Sequence, residues 1–170
     1  MQTNTILLVQ YMTDDRVYFR NGSTANVTID VHAVVVRVMH RLRNKWLEIY
    51  EDQQVFPDGS VLRRNKQFNG SIGETLKRSD TPRDGAIRGL AEELHFRDQT
   101  GYDLSDCIGV EHREPVPSEK WPGIKAAYHR YIFECVIARY LFDPQGYVET
   151  EGDIRIFFRW KPRGQAHFRF

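Results

Sequence analysis

Most apolar positions in this chain recur at a two-residue period or in short continuous runs, which predicts a β-rich protein. From Val27 to Val38 the sequence VTIDVHAVVVRV is rich in β-branched residues and long enough for a central strand. KWLEIYED, at 45 to 52, alternates in and out and predicts a strand beside it, with the turn at 41 to 44. Residues 5 to 11 and 16 to 20 predict a first pair of strands, and 107 to 113, 126 to 139 and 153 to 160 predict three later ones. FPDGS at 56 to 60 is a turn by its own chemistry, since Pro presets φ and Asp-Gly accepts the left-handed region. A loop carrying Gly70 and Gly73 follows, and the Pro-rich EPVPSEKWPG predicts a long loop between two of the late strands.

One segment breaks the strand period. DTPRDGAIRGLAEELHF, residues 80 to 96, predicts a helix over about 82 to 95. Thr81 is a good N-cap, Pro82 suits the first helical position, and Asp84 completes a capping box. At about 100° per residue, Ala86, Ile87, Leu90, Ala91 and Leu94 share one side, while Gly85, Arg88, Gly89, Glu92 and Glu93 share the other. Arg/Glu faces on helices are mostly solvated surface. Gly89 is not explained that way, because glycine inside a helix costs about 1 kcal/mol against alanine and asks for either the close approach of another group or a released constraint. The elements together predict an α+β fold, a mixed sheet with its principal helix in mid-sequence. With no internal repeat, low-complexity tract or long linker, residues 1–170 read as a single domain.

Composition narrows the partners. The 24 Lys and Arg against 23 Asp and Glu leave a net charge of +1, too small a field to favour nucleic acid or an anionic membrane in general. Cys107 and Cys135 fit neither a disulfide framework nor a metal-ligand spacing, which predicts buried, inert thiols in a reducing compartment. MQTNTILLVQYMTDD has no basic leader and too short an apolar run for a signal peptide or membrane span, so a cytoplasmic protein with no membrane partner is expected. The sequons at Asn21, Asn26 and Asn69 are then chance matches.

The helix and the loop before it resemble the signature box of the Nudix hydrolase family: Gly, five residues, Glu, seven residues, Arg-Glu-apolar-x-Glu-Glu-x-Gly-apolar. Residues 73–96 match at Arg88, Leu90, Glu92, Glu93 and Phe96, with Asp80 in place of the first Glu and Gly73 just before the opening position. Glu74 stands where the box has its first Gly, Gly89 where it has Glu, and His95 where it has its last Gly. His95 suits a helix C-terminus, since His is enriched at positive φ. The resemblance implies an α/β/α sandwich with a loop-helix-loop, and Mg²⁺ or Mn²⁺ held by Glu92, Glu93 and the Gly73 carbonyl. It also implies that Arg88 orients this cluster by pairing with Asp80 and Glu92, and that a further carboxylate arrives from a distant segment. Glu149 is preferred for that carboxylate, with Glu151 and Asp153 beside it and Glu119 as competitor. A hard dication with oxygen ligands would bridge diphosphate oxygens and activate water. The activity implied is hydrolysis of a diphosphate linkage in a nucleoside diphosphate derivative or related small molecule.

Arg63, Arg64, Lys66, Lys77 and Arg78 flank the loop and are candidates for phosphate contact, and Trp121 for stacking on a base. His32, His40, His112 and His129 are scattered over strand positions and read as structural. Gly89 favours an alternative: a domain of this fold that no longer hydrolyses and instead binds a nucleotide, RNA or protein. Isoprenyl diphosphate isomerisation, also known on the fold, would need a cysteine and a glutamate facing the ligand, and neither Cys107 nor Cys135 lies in such a motif. Family members carry a second, late helix, whereas KPRGQAHFRF has no helical period. Either that helix lies elsewhere or a sheet face is left for a second copy, giving a homodimer.

Overall fold

The computed structural model describes residues 17–20, 28–63, 72–118 and 123–163. Among these residues ten strands form one mixed sheet: β1 (Val17–Arg20), β2 (Thr28–Leu42), β3 (Lys45–Val55), β4 (Val61–Arg63), β5 (Ile72–Thr75), β6 (Tyr102–Leu104), β7 (Gly109–Pro117), β8 (Lys125–Ile137), β9 (Tyr147–Glu151) and β10 (Ile154–Pro162). Among the described residues Pro82–Glu93 is the one α-helix, α1, inserted between β5 and β6. The α+β class and the mid-sequence helix are as the sequence predicts. The second helix of a three-layer sandwich is not found among the described residues, and the segment 5 to 11 lies outside them.

The 15-residue strand β2 organises the sheet. One edge runs parallel to β8 from Thr28 to Met39, while the other pairs in succession with β1, β5 and β3, all antiparallel. Its alternate residues Val34, Val36 and Val38 are fully buried, and they meet Phe133 and Cys135 of β8, Ile72 of β5, Ala86 and Leu90 of α1 and its C-cap Leu94 in one core. The turn at Arg43 takes φ 55° and that at Gly59 takes φ 81°. Beyond β3 the sheet continues through β10 to β9 and opens a cleft between that arm and α1.

Several expectations are corrected. Gly73 lies in a short strand rather than a loop, because β2 is long enough to pair with 72–75 between its β1 and β3 partners. The acidic stretch before β10 is itself the strand β9, so Glu149 and Glu151 project from a sheet edge. Pro115 and Pro117 fall within β7, which pairs with β8 alone and shifts register between Arg113 and Val116. An edge with a bulge tolerates a missing N–H. Cys135 is buried, its thiol pushed up to about 12 by burial, but Cys107 sits in the loop ahead of β7 and is exposed.

Both ends of α1 are specified locally. Thr81 and Asp84 form the capping box, each side chain bonded to the other's backbone N–H. At the other end His95 takes φ 62° and the Phe96 N–H returns to the Leu90 carbonyl, seating Phe96 in the core. Thr81→Ala is expected to cost about 1 kcal/mol, or about 3 °C in Tm by thermal unfolding.

Candidate active site

Gly85 and Gly89 determine how α1 meets the sheet. They belong to its buried stripe with Ala86 and Leu90, not to the polar side on which their lack of a side chain placed them. A Cβ at Gly85 would stand 2.3 Å from Leu76 Cδ2. One at Gly89 would stand 3.0 Å from Ile72 Cγ2 and 3.2 Å from Glu74 Cβ, both on β5. The close approach inferred from Gly89 is therefore met by a named strand. The next residue on this i, i+4 line is Glu93, which is carried inward against β5 while Glu92 stays exposed.

Glu93 consequently enters a cleft of about 560 Å³ whose lining includes Glu51, Glu74, Glu92, Glu149 and Glu151 as well as Gly73. Desolvation pushes the Glu93 carboxyl up to about 9, with Glu149, Glu74 and Glu51 adding repulsion and the Gly73 N–H opposing it by a hydrogen bond. Burial, then repulsion from Glu151, Glu74, Glu92 and Glu51, pushes Glu149 up to about 7. Two acids in one cleft thus hold their protons far above the ordinary carboxylate range.

Arg88 sets the geometry beneath. Its guanidinium donates to Glu74 Oε1, to Asp80 Oδ2 at 2.6 Å and to the Thr75 carbonyl at 3.0 Å, and stands 3.9 Å from Glu92. Burial alone would raise Asp80, but hydrogen bonds from Arg88 and the Lys77 N–H hold it below the usual range. Asp80 is thus a partner of Arg88, as expected. The tighter second carboxylate is Glu74, which the sequence reading treated only as a departure, and Glu92 is the looser contact.

The structure brings Gly73, Glu92, Glu93 and Glu149 to one cleft. Lys77, Arg78, Arg63 and Asp153 are exposed and do not line it. Arg64, Lys66, Glu119 and Trp121 lie outside the described residues. Glu151, named beside Glu149 as a candidate, also lines the cleft, and Glu51 and Gln54 of β3, Glu74 and the pair Tyr128 and Arg130 of β8 line it without having been singled out as ligands. The Arg130 guanidinium lies 5.5 Å from the Tyr128 ring centroid and 3.7 Å from Glu111. His32, His129 and His112 are not scattered. They stand in register across β2, β8 and β7, with His112 Nδ1 2.7 Å from His129 Nδ1 and Asp30 Oδ1 3.2 Å from His129 Nε2. None of the three lines the acidic cleft.

No family model matches the chain, and no curated protein matches its sequence. Solved structures with a similar fold include a C. elegans Ap4A hydrolase, at 11% identity over 75% of this chain and 79% of that one, with a TM-score of 0.40. A binary complex of a C. elegans Ap4A hydrolase gives 13%, 78%, 78% and 0.42 for the same measures. A Nudix hydrolase from M. smegmatis, RenU, gives 13% identity over 86% of this chain and 78% of that one, at a TM-score of 0.37. The functional reading rests on the residues of the cleft. Among the described residues no helix is long and apolar enough to cross a membrane.

The residues present fit a hard divalent cation. The lining is rich in carboxylates, and the burial and, after it, the mutual repulsion that keep Glu93 and Glu149 protonated are what a dication would offset. Among the described residues no three Asp, Glu, His or Cys side chains form a ready-made ligand set. An ion taken up by few protein ligands keeps several waters, which is the habit of Mg²⁺.

Proposed function

We propose that this protein is a Nudix-type hydrolase that cleaves a diphosphate linkage in a nucleoside diphosphate derivative or related small molecule, with Mg²⁺ or Mn²⁺. The observation that carries the reading is Glu93, drawn inward along the Gly85–Gly89 line into a cleft of carboxylates. Glu93 and Glu92, with the Gly73 carbonyl, would hold the cation. Once bound, the ion would neutralise diphosphate charge and lower the pKa of an attacking water.

The protein's own groups divide the remaining work. Glu149, with its carboxyl near 7, is poised to accept a proton from water at neutral pH. Arg88 fixes Glu74 and Asp80 and so the floor of the cleft. Arg130, which lines the cleft beside Tyr128, is the described cation best placed to meet a substrate phosphate. Gly89 was the feature favouring a non-hydrolysing domain that binds nucleotide, RNA or protein; Glu74 in the same cleft weakens that alternative.

The test is product release from a panel of nucleoside diphosphate derivatives with Mg²⁺ or Mn²⁺, run beside Glu93→Gln. Turnover of at least one compound that the substitution abolishes supports the reading. Tight nucleotide binding without release of any product would establish the non-catalytic alternative.

A pH dependence follows from the same geometry. Folded Glu93 keeps its proton from its ordinary value of 4.5 up to about 9, so across that window the native state binds more protons than the unfolded chain. Stability of the metal-free protein therefore falls as pH rises through it, and the effect vanishes below it, where both states are protonated. A bound dication opposes this penalty. Melting curves with chelator and with millimolar Mg²⁺ are expected to diverge progressively towards the alkaline end; a gap independent of pH would count against the assignment.

A further inference from the structure

Resting on that reading, we infer that Glu74 supplies the cleft, from strand β5, with a cation-facing carboxylate that the helix does not carry at Gly89, and that Gly89 is glycine because Ile72 and the Glu74 stem together occupy its space. Three observations converge. The Cβ that any other residue would place at 89 meets Glu74 Cβ at 3.2 Å and Ile72 Cγ2 at 3.0 Å, so a side chain at 89 and the stem at 74 compete for one volume. Glu74 and Ile72 are alternate residues of β5 opposite Val34 and Val36, so both face α1 and neither turns away without a register slip. The Glu74 carboxylate then lines the cleft with Glu92 and Glu93, fixed by Arg88, which also holds Asp80.

Positions 74 and 89 therefore act as one unit, with one carboxylate between them: large on the strand and absent on the helix here, or the reverse. The inference concerns where an oxygen ligand is mounted. A strand-borne carboxylate is held by two backbone neighbours and an arginine, more rigidly than one at the end of a free side chain.

The test combines Mn²⁺ titration followed by electron paramagnetic resonance with melting curves on the metal-free protein. Glu74→Gln, which keeps the stem, is expected to weaken Mn²⁺ binding at least about tenfold, with Glu74→Asp partly restoring it. Gly89→Ala is expected to lower Tm by about 5 °C despite its better helix propensity, and Gly89→Glu by more. The exchange E74G/G89E should recover much of both the Tm and the Mn²⁺ affinity relative to either single change. Mn²⁺ affinity unchanged by Glu74→Gln would overturn the ligand role, and Gly89→Ala without loss of Tm would overturn the shared volume. If the wild-type protein itself takes up no Mn²⁺, the proposed function fails, and this role with it; loss confined to the Glu74 variants identifies the role with the function standing.

Discussion

Glu93→Gln is expected to lower turnover by about 10³-fold, the several kcal/mol of charge stabilisation that a lost cation ligand forfeits. The substitution is isosteric, and Glu93 is already held protonated by its surroundings in the absence of metal. A neutral amide therefore fits the metal-free site without new repulsion. Above neutral pH the metal-free variant should be at least as stable as wild type, because folding of the wild type must hold Glu93 protonated where the unfolded chain ionises it, a cost that the amide does not carry. Loss of activity with gain of stability is the pattern of a residue retained for chemistry rather than for folding. Steady-state kinetics beside melting curves with chelator measure both. A variant destabilised at every pH would instead mark Glu93 as structural.

The second large effect falls on stability. Arg88 is 17% exposed and joins Glu74 and Asp80, at 22% and 14%, while also donating to the Thr75 carbonyl. Arg88→Met keeps the apolar stem and removes the charge, leaving two mutually repelling carboxylates with little solvent. Breaking such a part-buried arrangement from one side costs about 3 kcal/mol, or about 10 °C in Tm for a chain of this size. Arg88→Lys should recover only part, since an ammonium cannot reach two carboxylates and a carbonyl with a planar fork. Denaturant or thermal unfolding gives the number, and a loss under about 1 kcal/mol would reduce the cluster to an ordinary surface network.

What the sequence reveals of this site is what short-range chemistry specifies. The Thr81–Asp84 box, Pro82 and the left-handed His95 fix α1 within its own segment, so its start and exit are readable without knowledge of the sheet. Gly89 was readable as a demand for close approach, and β5 meets it. The buried side of the helix carries Ala86, Leu90 and Leu94 as the pattern predicts but extends further than it predicts, for a physical reason. Glycine carries no hydropathy signal, so Gly85 and Gly89 were grouped with the charges, whereas their missing side chains let the strand approach and drew Glu93 inward.

The rest of the cleft depends on pairings between distant segments. Glu74 is legible only once β5 is seen to pair with Val34 to Val36, and Glu51 and Gln54 only once β3 curls away with β10. Glu149 and Glu151 line the cleft together because they are alternate residues of one strand, a pairing with β10 that their acidic composition does not disclose. Arg130 was hidden in an apolar strand, its position relative to the cleft set by the parallel register of β8 on β2. The histidine ladder has the same origin: residues 32, 112 and 129 are remote in sequence and adjacent across three strands.

The central claim is that this cleft binds a divalent cation through Glu93. The most direct measurement is Mn²⁺ titration of wild type and Glu93→Gln by electron paramagnetic resonance at slightly alkaline pH. The free-ion signal should be depleted by the wild-type protein to saturation and persist at millimolar Mn²⁺ with the variant. Equal depletion by both proteins, or none by either, would contradict it.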